Sequence, residues 1–179
     1  MTITTSGSTI TFPNSTTQAS GAKILQVVTA TTGTAFINNS GSTGNPNWLS
    51  SPITASITPL FSTSKILIMV QANVGGNTSY NQLLAIVRGA STYINIGTSG
   101  TNNSGPGIST SCRQSDNDGL QPCVMTYLDS PATTSSTSYT VYLGNSAGGA
   151  GQARINETVN NSSYTGNPLS TITLLEVGA

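Results

Sequence analysis

Short runs of β-branched and aromatic residues, each ended by a cluster of Gly, Asn, Ser or Pro, constrain this chain more than any other feature. A helix needs ten or more residues with apolar positions every three or four, and no segment here has that period together with caps. Candidate strands run from Lys23 to Ala30, Thr34 to Asn38, Ile53 to Thr58, Lys65 to Val74, Gln82 to Arg88, Thr92 to Ile96, Val124 to Leu128, Ser138 to Leu143 and Thr171 to Val177. Ile53, Ala55 and Ile57 alternate with Thr54, Ser56 and Thr58, as a half-buried strand requires. Lys65 to Val74 is the most apolar run, and its branched residues suit a central strand covered on both faces. Asn81 to Val87 is the best helical candidate, but its branched residues and the strand before it favour a strand. The clusters Gly41 to Pro46, Gly75 to Asn77, Gly97 to Gly107, Asp116 to Gly119, Gly144 to Gly151 and Asn160 to Pro168 supply the turns. These features predict an all-β fold, an antiparallel two-sheet sandwich or jelly roll of about eight strands over residues 23–179.

Residues 1–22 read differently. They are rich in Ser, Thr and Gly around one apolar island, Ile10-Thr11-Phe12-Pro13. A short strand stopped by Pro13 is expected there, either as a frayed terminus or as an arm docking on a neighbour through Ile10, Phe12 and Pro13. Met1-Thr2-Ile3-Thr4 has neither a basic nor an apolar signal-peptide region, so synthesis in a cytoplasm is expected.

Charge restricts the partners. Charged residues make up 6% of the chain, against about 25% in an average domain, while Ser, Thr and Asn supply about two-fifths. The formal net charge is zero and the basic residues are scattered singly, which gives no footprint for nucleic acid. No apolar run approaches the ~18 residues of a membrane span, so no membrane insertion is expected. Sheet edges are usually guarded by Lys, and this chain has few, so covered edges and self-association are expected.

Chemistry finds little purchase, and neither an enzyme nor a cofactor is expected. The chain has no His to serve as a triad base. Its acids, Asp116, Asp118, Asp129, Glu157 and Glu176, do not form a recognisable glycosidase pair. Asp116-Asn117-Asp118-Gly119 resembles the opening of a calcium loop, but Leu120-Gln121-Pro122 does not continue it, and a plain turn is the simpler reading. Gly144 to Gly151 lacks the Gly-Lys-Ser/Thr ending of a phosphate loop. Cys112 and Cys123 are read as two thiols, with a disulfide between them as the alternative. They cannot complete a four-ligand zinc site without recruiting carboxylates. Trp48, Tyr80, Tyr93 and Tyr164 could offer stacking faces for sugars, with Trp48, Tyr80 and Tyr93 as candidate glycan contacts. The plainer role for Trp48 is a lid over the end of the core.

Three stretches carry a resemblance. Ser8-Thr9-Ile10-Thr11-Phe12-Pro13-Asn14-Ser15-Thr16-Thr17-Gln18 resembles the ITFPDGTTQ arm of tailed-phage fibre and virion proteins, with Asn14-Ser15 in place of Asp-Gly. Tyr127-Leu128-Asp129-Ser130-Pro131-Ala132-Thr133-Thr134, followed by Tyr139-Thr140-Val141, is similar to their FLDSPATTS…Y-x-V segment. Ser170-Thr171-Ile172-Thr173-Leu174-Leu175-Glu176-Val177 is similar to their final STITLMEI strand. With Lys23 to Val28 the resemblance spans nearly the whole chain. It implies a jelly-roll-like domain on the exterior of a bacteriophage virion, usually a homotrimer, with no catalytic residues. It leaves two places open, a tail fibre that attaches to a host surface glycan, or a capsid decoration (cement) protein. In either place the partners are copies of itself and other virion proteins.

Overall fold

The computed structural model describes residues 4–6, 9–11, 17–19, 24–43, 45–98, 107–148, 152–160 and 166–178. Among them there are strands and no helix. In chain order the strands are β1 (Thr4–Ser6), β2 (Thr9–Thr11), β3 (Thr17–Ala19), β4 (Ile24–Thr32), β5 (Phe36–Asn38), β6 (Gly41–Thr43), β7 (Asn45–Pro46), β8 (Leu49–Ile57) and β9 (Lys65–Gly76). They continue as β10 (Gln82–Arg88), β11 (Thr92–Ile94), β12 (Thr110–Cys112), β13 (Leu120–Asp129), β14 (Thr137–Asn145), β15 (Ala147–Gly148), β16 (Ala153–Ile155) and β17 (Ser170–Val177).

Two antiparallel sheets form a sandwich. The first holds six strands ordered β4-β17-β9-β16-β5, with β13 on the other edge of β9. Since β17 and β16 pair with successive stretches of the same edge of β9, this sheet is four strands wide. The second holds five strands ordered β11-β10-β14-β8, with β12 following β11 along β10. Two three-stranded sheets stand outside the sandwich, β1-β2-β3 and β15-β6-β7. Ile10 of the expected arm lies in β2, which pairs with β1 and β3, while Phe12, Pro13 and Tyr164 lie outside the described residues.

The period-2 pattern builds the core. Ile53 and Ile57 of β8, Ile66, Ile68, Val70 and Val74 of β9, Leu84 and Ile86 of β10, Tyr139, Val141 and Leu143 of β14, and Ile172 and Leu174 of β17 all face inward and are buried. Each full burial of such a side chain contributes about 1.5–3 kcal/mol, which is why register is fixed wherever one face is apolar. The one helical candidate is strand β10. β11 ends two residues earlier than the pattern suggests, because Asn95 takes φ 53°, a left-handed conformation that Asn tolerates better than most side chains. β12 and β16, three residues each, carry too little pattern to be read from sequence.

One expectation is corrected. β9 is central, but it is covered on one face only: its inward residues are buried while Met69 on the opposite face is 48% exposed. The edges carry prolines where Lys was missing. Pro52 sits where β8 breaks register against β14, and Pro122 lies in edge strand β13. A proline offers no N–H to a foreign strand, so both positions discourage further pairing.

Buried amides close the end of the sandwich opposite Arg88. Asn38 donates to the carbonyls of Asn47 and Leu143, both at 2.6 Å, and accepts from the Ser40 amide and hydroxyl. Asn156, at φ 58°, donates to Thr32 O and Thr34 O and accepts from the Ser170 hydroxyl at 2.6 Å. These side chains satisfy loop carbonyls that leave the ladders, and without them those groups would be buried unpaired.

Candidate functional site

The outer face of the five-stranded sheet carries an aromatic row. In β10, Leu83, Ala85 and Val87 alternate with the core residues, so they point away from the core, yet they are 7%, 0% and 0% exposed. Their cross-strand neighbours explain the cover: Tyr142 of β14 stands opposite Ala85, and Tyr93 of β11 opposite Val87. Trp48, from the segment entering β8, completes the row. Trp48 and Tyr93 meet edge to face at 6.1 Å and 67°, and Tyr93 and Tyr142 at 5.8 Å and 75°. Such T-shaped pairs contribute about 0.5–1.5 kcal/mol each beyond their area. All three rings remain half-buried, so the row offers part of itself to solvent. Burial, and secondarily Tyr142, push the Tyr93 phenol above its ordinary value.

An open cleft of about 650 Å³ adjoins Tyr93, lined also by Asn95, Gly97, Ile108, Ser109 and Tyr127. Its rim is pinched by two glycines. The Gly97 amide donates to Ile108 O at 3.1 Å, and a Cβ on Gly107 would collide with the Gly97 carbonyl. The row and the cleft together present aromatic edges, amide groups and hydroxyls without a charge.

Sequence reasoning named Trp48, Tyr80 and Tyr93. The structure brings Trp48 and Tyr93 together and leaves Tyr80 apart, in the turn where its carbonyl accepts from Gln82 Nε2. It adds Tyr142, whose outward side was visible in the alternation of β14 but whose partners depend on pairings across three strands. Trp48 sets its ring against Tyr93, an outward residue of β11.

The acids occupy structural positions. Asp129, 5% exposed, accepts from Arg88 Nη1 at 2.9 Å with both oxygens and from the Tyr139 hydroxyl at 2.8 Å. Arg88 and Tyr139 belong to the five-stranded sheet and Asp129 to the six-stranded one, so this cluster ties the two sheets. Burial first, then the hydrogen bond to Asp129, push the Tyr139 phenol well above its ordinary value. Glu157 pairs with Arg154 at 2.6 Å. Glu176 is fully buried and accepts from Gln26 Nε2 at 2.6 Å and the Leu60 amide at 2.8 Å. Burial raises its pKa, but its hydrogen bonds, that of Gln26 foremost, outweigh burial and hold the carboxyl below its ordinary value. Asp116 forms a turn, its Oδ1 accepting the Asp118 amide at 2.9 Å.

The cysteines meet across the sandwich edge. Cys112 is on β12 of one sheet and buried Cys123 on β13 of the other, and both are free thiols. The Cys112 thiol donates to Gln82 Oε1 and accepts from Gln114 Nε2, both at 3.9 Å. The neighbouring Cys123 first, and burial second, raise the Cys112 thiol above its ordinary value, while Cys112 lowers that of Cys123.

No protein-family model matches the chain, and no curated protein does. The fold and the site define an all-β sandwich with an uncharged aromatic face.

Proposed function

We propose that this chain is a non-enzymatic recognition domain on the exterior of a bacteriophage virion, a homotrimeric tail-fibre or receptor-binding component that contacts host surface glycan. The observation that carries the reading is the row Trp48–Tyr93–Tyr142 beside its uncharged cleft. Sugars present apolar C–H faces flanked by hydroxyls, and half-exposed aromatic rings next to amides and hydroxyls match both. Two supports are independent of the row. The motif resemblance spans nearly the whole chain. The chain divides its strands between the sheets, β4, β9, β13 and β17 in one and β8, β10, β11 and β14 in the other, an arrangement we read as a jelly roll. The non-enzymatic part is supported by the use of Asp129, Glu157 and Glu176 as buried structural acceptors.

Binding of the purified protein to host cells and to purified lipopolysaccharide tests the reading. Trp48→Ala with Tyr142→Ala should weaken binding at least about tenfold, with the circular dichroism spectrum unchanged. Wild-type protein that binds neither would overturn it. A capsid decoration role is the second reading, favoured by β1-β2-β3, which pair among themselves as a docking arm would. Copy number per particle separates the two: hundreds indicate the capsid, and a small multiple of three or six the tail.

A further inference from the structure

The six-stranded sheet leaves its outer face uncovered, and that face has an ordered composition. Reading across β4, β17, β9 and β13, one row is Val27, Leu175, Leu67 and Leu128. The next is Thr29, Thr173, Met69 and Thr126, and the third is Thr31, Thr171, Gln71 and Val124. Beyond the first row lie Ile24, Val177 and Lys65, and Lys65 is the single charge in these four rows. Val124 is 65% exposed, Val27 57%, Met69 48%, Leu128 45% and Ile24 43%.

The two sheets thus treat their outer faces in opposite ways. On the five-stranded sheet the outward Leu83, Ala85 and Val87 are buried, with Tyr142 opposite Ala85 and Tyr93 opposite Val87. The six-stranded sheet has no such cover among the described residues. Single exposed Leu or Val residues are ordinary, but a contiguous apolar row across four strands marks a contact surface.

We propose that copies of this chain associate through this face. Size supports a second copy as the occupant. Four strands about 4.8 Å apart and about seven residues long span roughly 450 Å² in plan before side-chain relief, which is within reach of the ~800 Å² per partner of a standard interface. Charge supports it as well. A face with one charge fits a partner of the same kind, and a second copy of the face, with Lys65 as its single charge, is one. The threonine ladders, with Thr29–Thr173 at 3.2 Å and Thr31–Thr171 at 3.4 Å, satisfy their hydroxyls within the sheet, so covering them strands few polar groups.

This inference rests on the self-association in the proposed function and not on its glycan reading. Sedimentation of the full chain and of Val27→Lys/Val124→Lys tests it, with glycan binding measured on the same samples. Both positions are more than half exposed in the single chain, so the substitutions leave its fold intact, which far-UV circular dichroism checks. The wild type should sediment as a trimer at about 10 μM, and the double variant as a monomer with its association weakened at least about a hundredfold. Ser135→Lys, on the exposed loop before β14, should remain a trimer. A dimer dissolved by the same two substitutions would support the face and overturn the homotrimer of the proposed function. A wild-type monomer at about 100 μM, or a double variant that associates as the wild type does, would overturn the face. If that monomer still bound glycan, the recognition reading would stand.

Discussion

Asp129→Ala should destabilise the domain by about 3 kcal/mol, at the lower end of the ~3–5 kcal/mol for breaking a buried charged pair. The carboxylate is 5% exposed and holds two partners from the opposite sheet. Tyr139 is fully buried, so losing its charged acceptor contributes most, about 1.5–3 kcal/mol. Arg88 contributes less, about 0–1 kcal/mol, because its side chain is 28% exposed and rehydrates once released. Tyr139→Phe removes one bond and leaves Asp129 paired with Arg88, so it should cost only about 1–1.5 kcal/mol. Urea unfolding at fixed protein concentration measures both, since association would otherwise shift the midpoint. By calorimetry the Asp129→Ala midpoint should fall by about 6–12 °C. An Asp129→Ala variant within about 1 kcal/mol of the wild type would refute the reasoning. So would a Tyr139→Phe loss as large as that of Asp129→Ala, because the carboxylate would then be acting through Tyr139 alone.

Two further outcomes follow from the buried groups. Glu176 titrates at the ordinary 4.5 when unfolded and lower when folded, so its stabilising contribution is present above 4.5 and lost as pH falls through the folded value. The gap in unfolding midpoint between wild type and Glu176→Gln should therefore narrow below pH 4.5, and a gap constant from pH 7 to pH 3 would contradict this. Oxidised glutathione should join Cys112 to Cys123 by two thiol–disulfide exchanges, each releasing reduced glutathione. Closing so short a loop should stabilise by up to about 3 kcal/mol and raise the midpoint by several degrees, reversibly with dithiothreitol. An unchanged count of free thiols after unfolding would show that the two sulfurs do not reach one another.

The fold was legible because its long strands carry their own instructions. Ile53 to Thr58 and Thr171 to Val177 state which side is buried, and Gln82 to Arg88 matches β10 residue for residue. What period-2 alternation does not state is what covers the other side. Leu83, Ala85 and Val87 of β10 and Leu67, Met69 and Gln71 of β9 have the same outward direction and opposite fates. The difference lies in which residues the paired strands set opposite, such as Tyr142 across from Ala85, and a pairing at such sequence separation leaves no local signal. The aromatic row was half legible for the same reason: Trp48 and Tyr93 stand out as rings in polar segments, whereas Tyr142 gains its role only from facing Ala85. The sheet-tying cluster was hidden more deeply. Asp129-Ser130-Pro131 reads as the start of a turn, and nothing in it points forty-one residues back to Arg88.

The scarcity of charge takes on a different meaning once the charges among the described residues are placed. In most domains charges form the solvated skin and hydroxyls and amides fill the gaps. Here Arg88 and Asp129 tie one sheet to the other, Arg154 holds Glu157, and Glu176 anchors the Leu60 amide at the edge of the core. Arg113, Asp116 and Asp118 gather around a single loop between β12 and β13, and Lys65 stands at the opposite end of β9. Lys65 is the one charge in the four outward rows of the six-stranded sheet, so little charge repulsion there opposes contact between copies. The proposed association through that face therefore needs no electrostatic steering. Assembly should accordingly be insensitive to salt between 50 mM and 500 mM. Dissociation by added salt would place unseen charge pairs at the interface and contradict this face as the contact.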